Sequence, residues 1–313
     1  MKKITILLAA LLGAMLWTGC KDTLETDDPT NPGEKPVAAR DSVMLTIEAG
    51  KGFDTKALAL VTENEKDKIN AFWVKDEEVK VFSSESAVSI GTLTATPVSG
   101  DATKATLSGT INKTGLAKGQ TLTLLFPSAT WGYDNQSGTL ESIASKFDFA
   151  RTQVTIENVS ETQITTTTKP VTFVNEQNIY RFGFRYGTVD GPTIRTKTLL
   201  LTSNQDKLAN TVDARTGANT YFAAGVPMTI ELSPALDVPS ATDHPLIYVA
   251  IRNDNKSTKD TFSFTIYDAD GATYKGSKDI PSDKLSSHFV SAKTIPLNRL
   301  EVSQGSTSVA TAL

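Results

Sequence analysis

The chain has 313 residues, with 31 Lys and Arg against 35 Asp and Glu, for a formal net charge of −4. Hydrophobic residues make up 39% and aromatic residues 7%, ordinary values for a soluble globular protein. A mildly acidic chain of mixed charge argues against nucleic acid as a partner and against a basic membrane-binding face. Its single cysteine, Cys20, allows no disulfide within the chain.

Lys2 and Lys3 precede an apolar run, ITILLAALLGAMLW over residues 4–17, and Thr18 and Gly19 lead from it into Cys20. A charged head, an apolar core of about 7–15 residues and a small-residue cut site describe a secretory signal peptide. A membrane-spanning helix needs about 20 apolar residues. Cysteine directly after the cut resembles the lipobox of bacterial lipoproteins, although Leu16 lies one place further from Cys20 than the usual leucine and Trp17 fills that position. The resemblance implies a signal peptide over 1–19 and diacylation of Cys20, and two or three acyl chains anchor firmly where one is marginal.

Residues 20–40 follow as a lipidated tether. They are rich in Pro and acidic side chains and poor in apolar ones, a composition that stays disordered and fairly extended. Asp27 and Asp28 are similar in kind to the charged export tags of surface lipoproteins in Bacteroides-type bacteria. Loss of residues 1–19 removes Lys2 and Lys3 and takes the net charge to −6. At about 150 residues per domain the remainder suggests two domains.

The rest of the chain reads as strands. Val43, Leu45 and Ile47 share one face; Val79 and Val81 follow, then Leu122, Leu124 and Phe126, the last stopped by Pro127. Further strands are predicted in TQVTIENV, YRFGFRYG, KTLLLTSN, PMTIELSP, PLIYVAIRN and TFSFTIYDADG, where Phe262, Phe264 and Ile266 alternate with hydroxyl residues. Period-two alternation closed by Pro, Gly, Asn or Asp marks half-buried antiparallel strands. Only residues 141–150 and 282–289 suggest a helical turn or two. Many short strands with turns between them predict an all-β chain built of β-sandwiches. Apolar content is thinnest over residues 160–170, SETQITTTTKP, which places the break between an N-terminal sandwich over 41–162 and a C-terminal one over 163–313.

Catalytic constellations are scarce. His244 and His288 are the only histidines and lie in unrelated contexts without a cysteine or acidic cluster at ligand spacing. GKGFDTK lacks phosphate-loop spacing, and residues 252–260 and 267–274 lack a twelve-residue calcium loop closed by Glu. These observations predict neither enzyme, metal nor cofactor. Trp131 and Tyr133 sit in a polar, glycine-containing loop over 129–138, which admits two readings. An exposed aromatic pair stacks on a sugar or a protein partner; alternatively Trp131 folds back and caps the open end of a sandwich.

KINAFWVKDEEVKVF over residues 68–82 resembles the signature of fimbrillin-like proteins of Bacteroides-type bacteria. Trp73, Asp76, Val79, Val81 and Phe82 match it, and Lys75 stands where that family usually has Gly. Thr55, Lys56 and Ala57 resemble its upstream Thr-Lys-Ala; ATLSGTI over 105–111 resembles its Phe-x-Gly strand with Leu107 for Phe; Phe126 and Pro127 resemble its Tyr-Pro strand end; and Gln153 resembles its Pro-Gln element without the proline. The matches cover about residues 40–160. The resemblance implies two tandem transthyretin-like antiparallel β-sandwiches in a subunit of a surface fimbria at the outer membrane. It also implies trimming by a trypsin-like protease and joining to other pilus subunits by strand exchange, with a host protein or glycan as receptor. In that scheme residues 43–49 are the removable strand and cleavage follows Lys56, with Arg40 as the competing site. The tail over 301–313 then inserts Val309 and Leu313 into a neighbour. A monomeric surface lipoprotein binding glycan through Trp131 and Tyr133 is the alternative.

Overall fold

The computed structural model describes residues 41–51, 59–63, 66–127, 130–167, 169–186, 193–238, 246–253, 258–268, 270–285 and 289–299. The first half runs through β1 (Ser42–Lys51), β2 (Ala59–Glu63), β3 (Lys66–Asn70), β4 (Glu78–Ser83), β5 (Gly91–Val98), β6 (Asp101–Asn112), β7 (Thr121–Phe126), β8 (Thr130–Gly132) and β9 (Ala150–Val159). After these come β10 (Gln163–Thr166) and β11 (Val171–Asn175). Eight of them form one sheet in the order β10-β1-β11-β9-β7-β4-β5-β6, and further pairing of β1 with β6 closes it on itself. Alternate residues point inward as the period-two pattern predicts: Val43, Leu45 and Ile47 from β1, Val79 and Val81 from β4, and Leu122 and Leu124 from β7 are all buried together.

The expected break at 162/163 falls within this sheet. β10 pairs antiparallel with β9 and β11 continues along the same neighbour, so the sheet runs on to Asn175. The physical reason lies in the threonine run itself. Its β-branched residues suit a strand, and Ile164, Thr166, Val171 and Phe173 alternate inward among more exposed neighbours.

The second half comprises β12 (Asn178–Tyr186), β13 (Ile194–Ser203), β14 (Ala209–Asp213), β15 (Ala218–Tyr221), β16 (Met228–Val238), β17 (Leu246–Ile251), β18 (Asp260–Asp268), β19 (Thr273–Ile280) and β20 (Phe289–Arg299). Seven of these form a sheet in the order β16-β13-β18-β19-β20-β12-β17. Phe262, Phe264 and Ile266 point inward, where Phe264 meets Phe182 and Phe184 edge-on at 4.9 and 5.2 Å. Asp268 closes the β18–β19 hairpin by accepting the backbone N–H of Asp270 and Ala272, and Gly271 takes φ +81°.

The chain does not divide into consecutive halves. Between β7 and β9 it leaves the first sheet and joins the second core. There β8 pairs with β14, Trp131 lying opposite Val212. A short helix α1 (Leu140–Ser142), N-capped by Thr139 and continued as a π-helical turn (Ile143–Phe147), inserts Ile143 and Phe147 into that core. The only other helix among the described residues is α2 (Ser282–Leu285). Residues 40–313 accordingly form one unit. The excursion is also tied at the surface: Glu176, just after β11, accepts Arg151 Nε from β9 at 2.6 Å and pairs with Arg252 beyond β17.

Candidate assembly site at the first strand

β1 is the first described strand, and its surroundings are uneven. Against β6 it is paired along almost its whole length, from Ser42 opposite Asn112 to Gly50 opposite Lys104. On its other side it is held only near its ends. β10 meets Met44 and Leu45, and β11 meets Ala49 to Lys51, in both cases parallel. Thr46 to Glu48 fall between the two, and a cavity of ≈ 240 Å³ lined by Thr46, Glu48, Gln163 and Lys169 opens there. The inward side chains Val43, Leu45 and Ile47 are buried, and by area alone the three contribute at most roughly 5–9 kcal/mol.

The far end of β1 is pinned by charge. Lys51 Nζ lies 2.9 Å from Glu77 Oε2 and 2.8 Å from the Phe72 carbonyl, with both side chains buried. The same ammonium stands 4.2 Å from the Trp73 ring centroid and 5.0 Å from that of Phe126. Trp73 in turn meets Phe126 and Phe173 edge-on, at 5.9 and 5.3 Å. Glu77 reaches this place through the turn after Trp73, where its Oε2 also accepts Val74 N–H and Asp76 takes φ +67°. The left-handed residue of this turn is thus Asp76, a residue type that tolerates that conformation, and Lys75 takes no positive φ, so position 75 does not require glycine. Trp73, Val79, Val81, Leu107 and Phe126, all residues that carry the resemblance, thus pack into the core that β1 completes.

Other sequence-predicted residues fall elsewhere. Cys20, Arg40, Lys56, His244, His288, Val309 and Leu313 lie outside the described residues. Trp131 and Tyr133 do not form an exposed platform: both are 0% exposed. Trp131 stacks on Phe149 at 5.3 Å, and Tyr133 meets the same ring edge-on at 5.3 Å. Their hydrophobic area, together with the β8–β14 pairing, draws the loop inward, so neither offers a ring face to a ligand. Sequence reasoning also missed Lys51 and Glu77. Lysine at the end of an alternating strand reads as a solvated terminus, and only its inward parity, two residues after Ala49, signals burial.

No protein-family model matches the chain, and no curated protein sequence matches it. Solved structures similar to it include a candidate cell adhesion protein of Bacteroides ovatus, at 12% identity and a TM-score of 0.44 over 82% of this chain and 95% of that one. A candidate cell adhesion protein of Bacteroides uniformis is similar at 12% identity and a TM-score of 0.41, over 82% of this chain and 97% of that one. A shaft pilin of Lactobacillus rhamnosus GG is similar at 9% identity and a TM-score of 0.30, over 83% and 99%.

Proposed function

We propose that this chain is a structural or accessory subunit of a cell-surface fimbria, anchored to the outer membrane through Cys20 and acting in adhesion. In this reading cleavage after Lys56 frees β1, and an extended segment of a neighbouring subunit takes its place. The seat of β1 carries the proposal. It joins a long apolar groove to an edge of β6 that would stand unpaired, and an incoming strand needs both: backbone hydrogen bonds and pockets for alternate side chains. The interrupted hold of β10 and β11 leaves fewer backbone bonds to break on that side.

Limited trypsin digestion followed by N-terminal sequencing and sizing tests this. A new N-terminus at Ala57 accompanied by oligomers is the expected result. A terminus at Asp41 with a stable monomer overturns strand exchange, because cutting after Arg40 frees the tether without opening the groove. Anchoring is tested separately: Cys20→Ser should release the chain from the membrane fraction and abolish palmitate incorporation.

A further inference from the structure

The outer face of the second sheet carries a groove of ≈ 890 Å³, walled on one side by Gly225 and Pro227 of the β15–β16 connection. That volume lies in the range of small-ligand sites, about 300–1,000 Å³. Its floor is set by strand register. Thr202, Ser263 and Ser277 form one cross-strand row, and Leu200, Thr265 and Lys275 form the next. Tyr267 and Thr273 face each other in a third row, where Tyr267 is 43% exposed. Neighbouring rows on one face are about 7 Å apart and neighbouring strands about 4.8 Å, so the floor is a lattice of hydroxyls with an aromatic ring at one end.

Two observations separate this floor from an ordinary solvated face. The polar groups around it satisfy themselves: Thr261 and Lys259 bond to Asp279 in the row beyond one end, and within the Tyr267 row Thr198 bonds to Glu231 of the next strand, outside the groove. Among the described residues, by contrast, the side-chain hydroxyls of Thr202, Ser263, Thr265, Thr273 and Ser277 bond to no other group of the protein, and Lys275 forms no ion pair within it. The second observation is charge. In a chain of net charge −4 the groove is lined by one cation, Lys275, and by no carboxylate.

We infer that this groove binds an acidic oligosaccharide. The threonine and serine hydroxyls exchange hydrogen bonds with sugar hydroxyls, the face of Tyr267 packs on a pyranose ring, and Lys275 pairs with the carboxylate of a uronic acid. The site lies on the second sheet, away from the β1 seat, and stands whether or not strand exchange occurs.

The test is calorimetric titration of the full chain with hexasaccharides of hyaluronan, alginate and polygalacturonate, and with a neutral dextran hexasaccharide. At least one of the three acidic probes should bind, and dextran should bind at least about tenfold more weakly. Lys275→Gln and Tyr267→Ala should each weaken that binding by about tenfold or more, while Lys259→Gln, which removes one exposed charge outside the groove, should not change it. Circular dichroism verifies that all three variants are folded. Failure of all three acidic probes, equal binding of dextran, or unchanged binding by the Lys275 and Tyr267 variants overturns the inference.

Discussion

The side-chain amide of Gln136 replaces a peptide group opposite Ala250: its Nε2 donates to the Ala250 carbonyl and its Oε1 accepts the Ala250 N–H, both at 2.7 Å. Its own backbone carbonyl accepts Glu231 N–H at 2.7 Å. Ala250 belongs to β17 and Glu231 to β16, the two edges of the seven-stranded sheet, so a residue from the first half of the chain bridges an otherwise open sheet. Gln136 is fully buried, as its place demands, since an exposed amide would exchange these bonds for water.

Replacing Gln136 by Leu should therefore strand the N–H and C=O of Ala250 without partners. At about 1–3 kcal/mol for each of the two buried groups, the expected loss is roughly 2–6 kcal/mol by urea unfolding. A loss below about 0.5 kcal/mol would show that the bridge carries no stability.

Lys51 and Glu77 predict a non-additive pair. Lys51→Met leaves a buried carboxylate without its cation and should cost about 3–5 kcal/mol. Combining it with Glu77→Gln, which keeps an acceptor for Val74 N–H, should recover a large part of that loss. Strict additivity in the double-mutant cycle would refute a direct pairing.

Gly109 on β6 is sterically required. A Cβ at that position would lie 2.1 Å from the Thr92 carbonyl oxygen and 3.1 Å from Leu93 Cα, both backbone atoms of β5 that cannot swing aside. Gly109→Ala should destabilise by about 3 kcal/mol or more and, because β6 is the long partner of β1, loosen the β1 seat as well. Amide exchange of β1 as slow as in the unmodified chain would contradict that second consequence.

Tyr180 sets an alkaline limit. Burial pushes its phenol up to about 12, with the Asp260 carboxylate adding to the rise and Asn178 opposing it. A folded value above the unfolded one, about 10, gives stability that is complete below pH 10 and is lost as pH climbs through 12. The loss is on the order of 3 kcal/mol over that window. Tyr180→Phe should remove this component, so the difference in unfolding free energy between the two proteins should change between pH 10 and 12. A constant difference across the window would contradict it.

Much of the architecture is legible residue by residue. Period-two alternation assigns Val43, Leu45 and Ile47 to one face and Phe262, Phe264 and Ile266 to another, and the structure buries each set. The brief helical signals at 141–150 and 282–289 correspond to the turns at Leu140–Phe147 and Ser282–Leu285. Both outcomes follow from local stereochemistry, because side-chain parity in a strand is fixed by the pleat. Which surface covers a given face is a different matter. Pairing partners far apart in the chain are chosen by the combined fit of backbone bonds and volumes, and that choice leaves no periodic trace. The threonine run therefore reads as a linker although β9 and β1 claim its first half, with Gln163 and Ile164, as β10. Trp131 and Tyr133 read as loop aromatics although the second core takes them in, and Gln136 reads as a polar loop residue although two strand edges meet on it. Composition and parity determined that this chain would be all strand and which side of each strand would be apolar; only the tertiary structure decided that residues between β7 and β9 would serve the other core, because only there do β14, β16 and β17 present unpaired backbone to receive them.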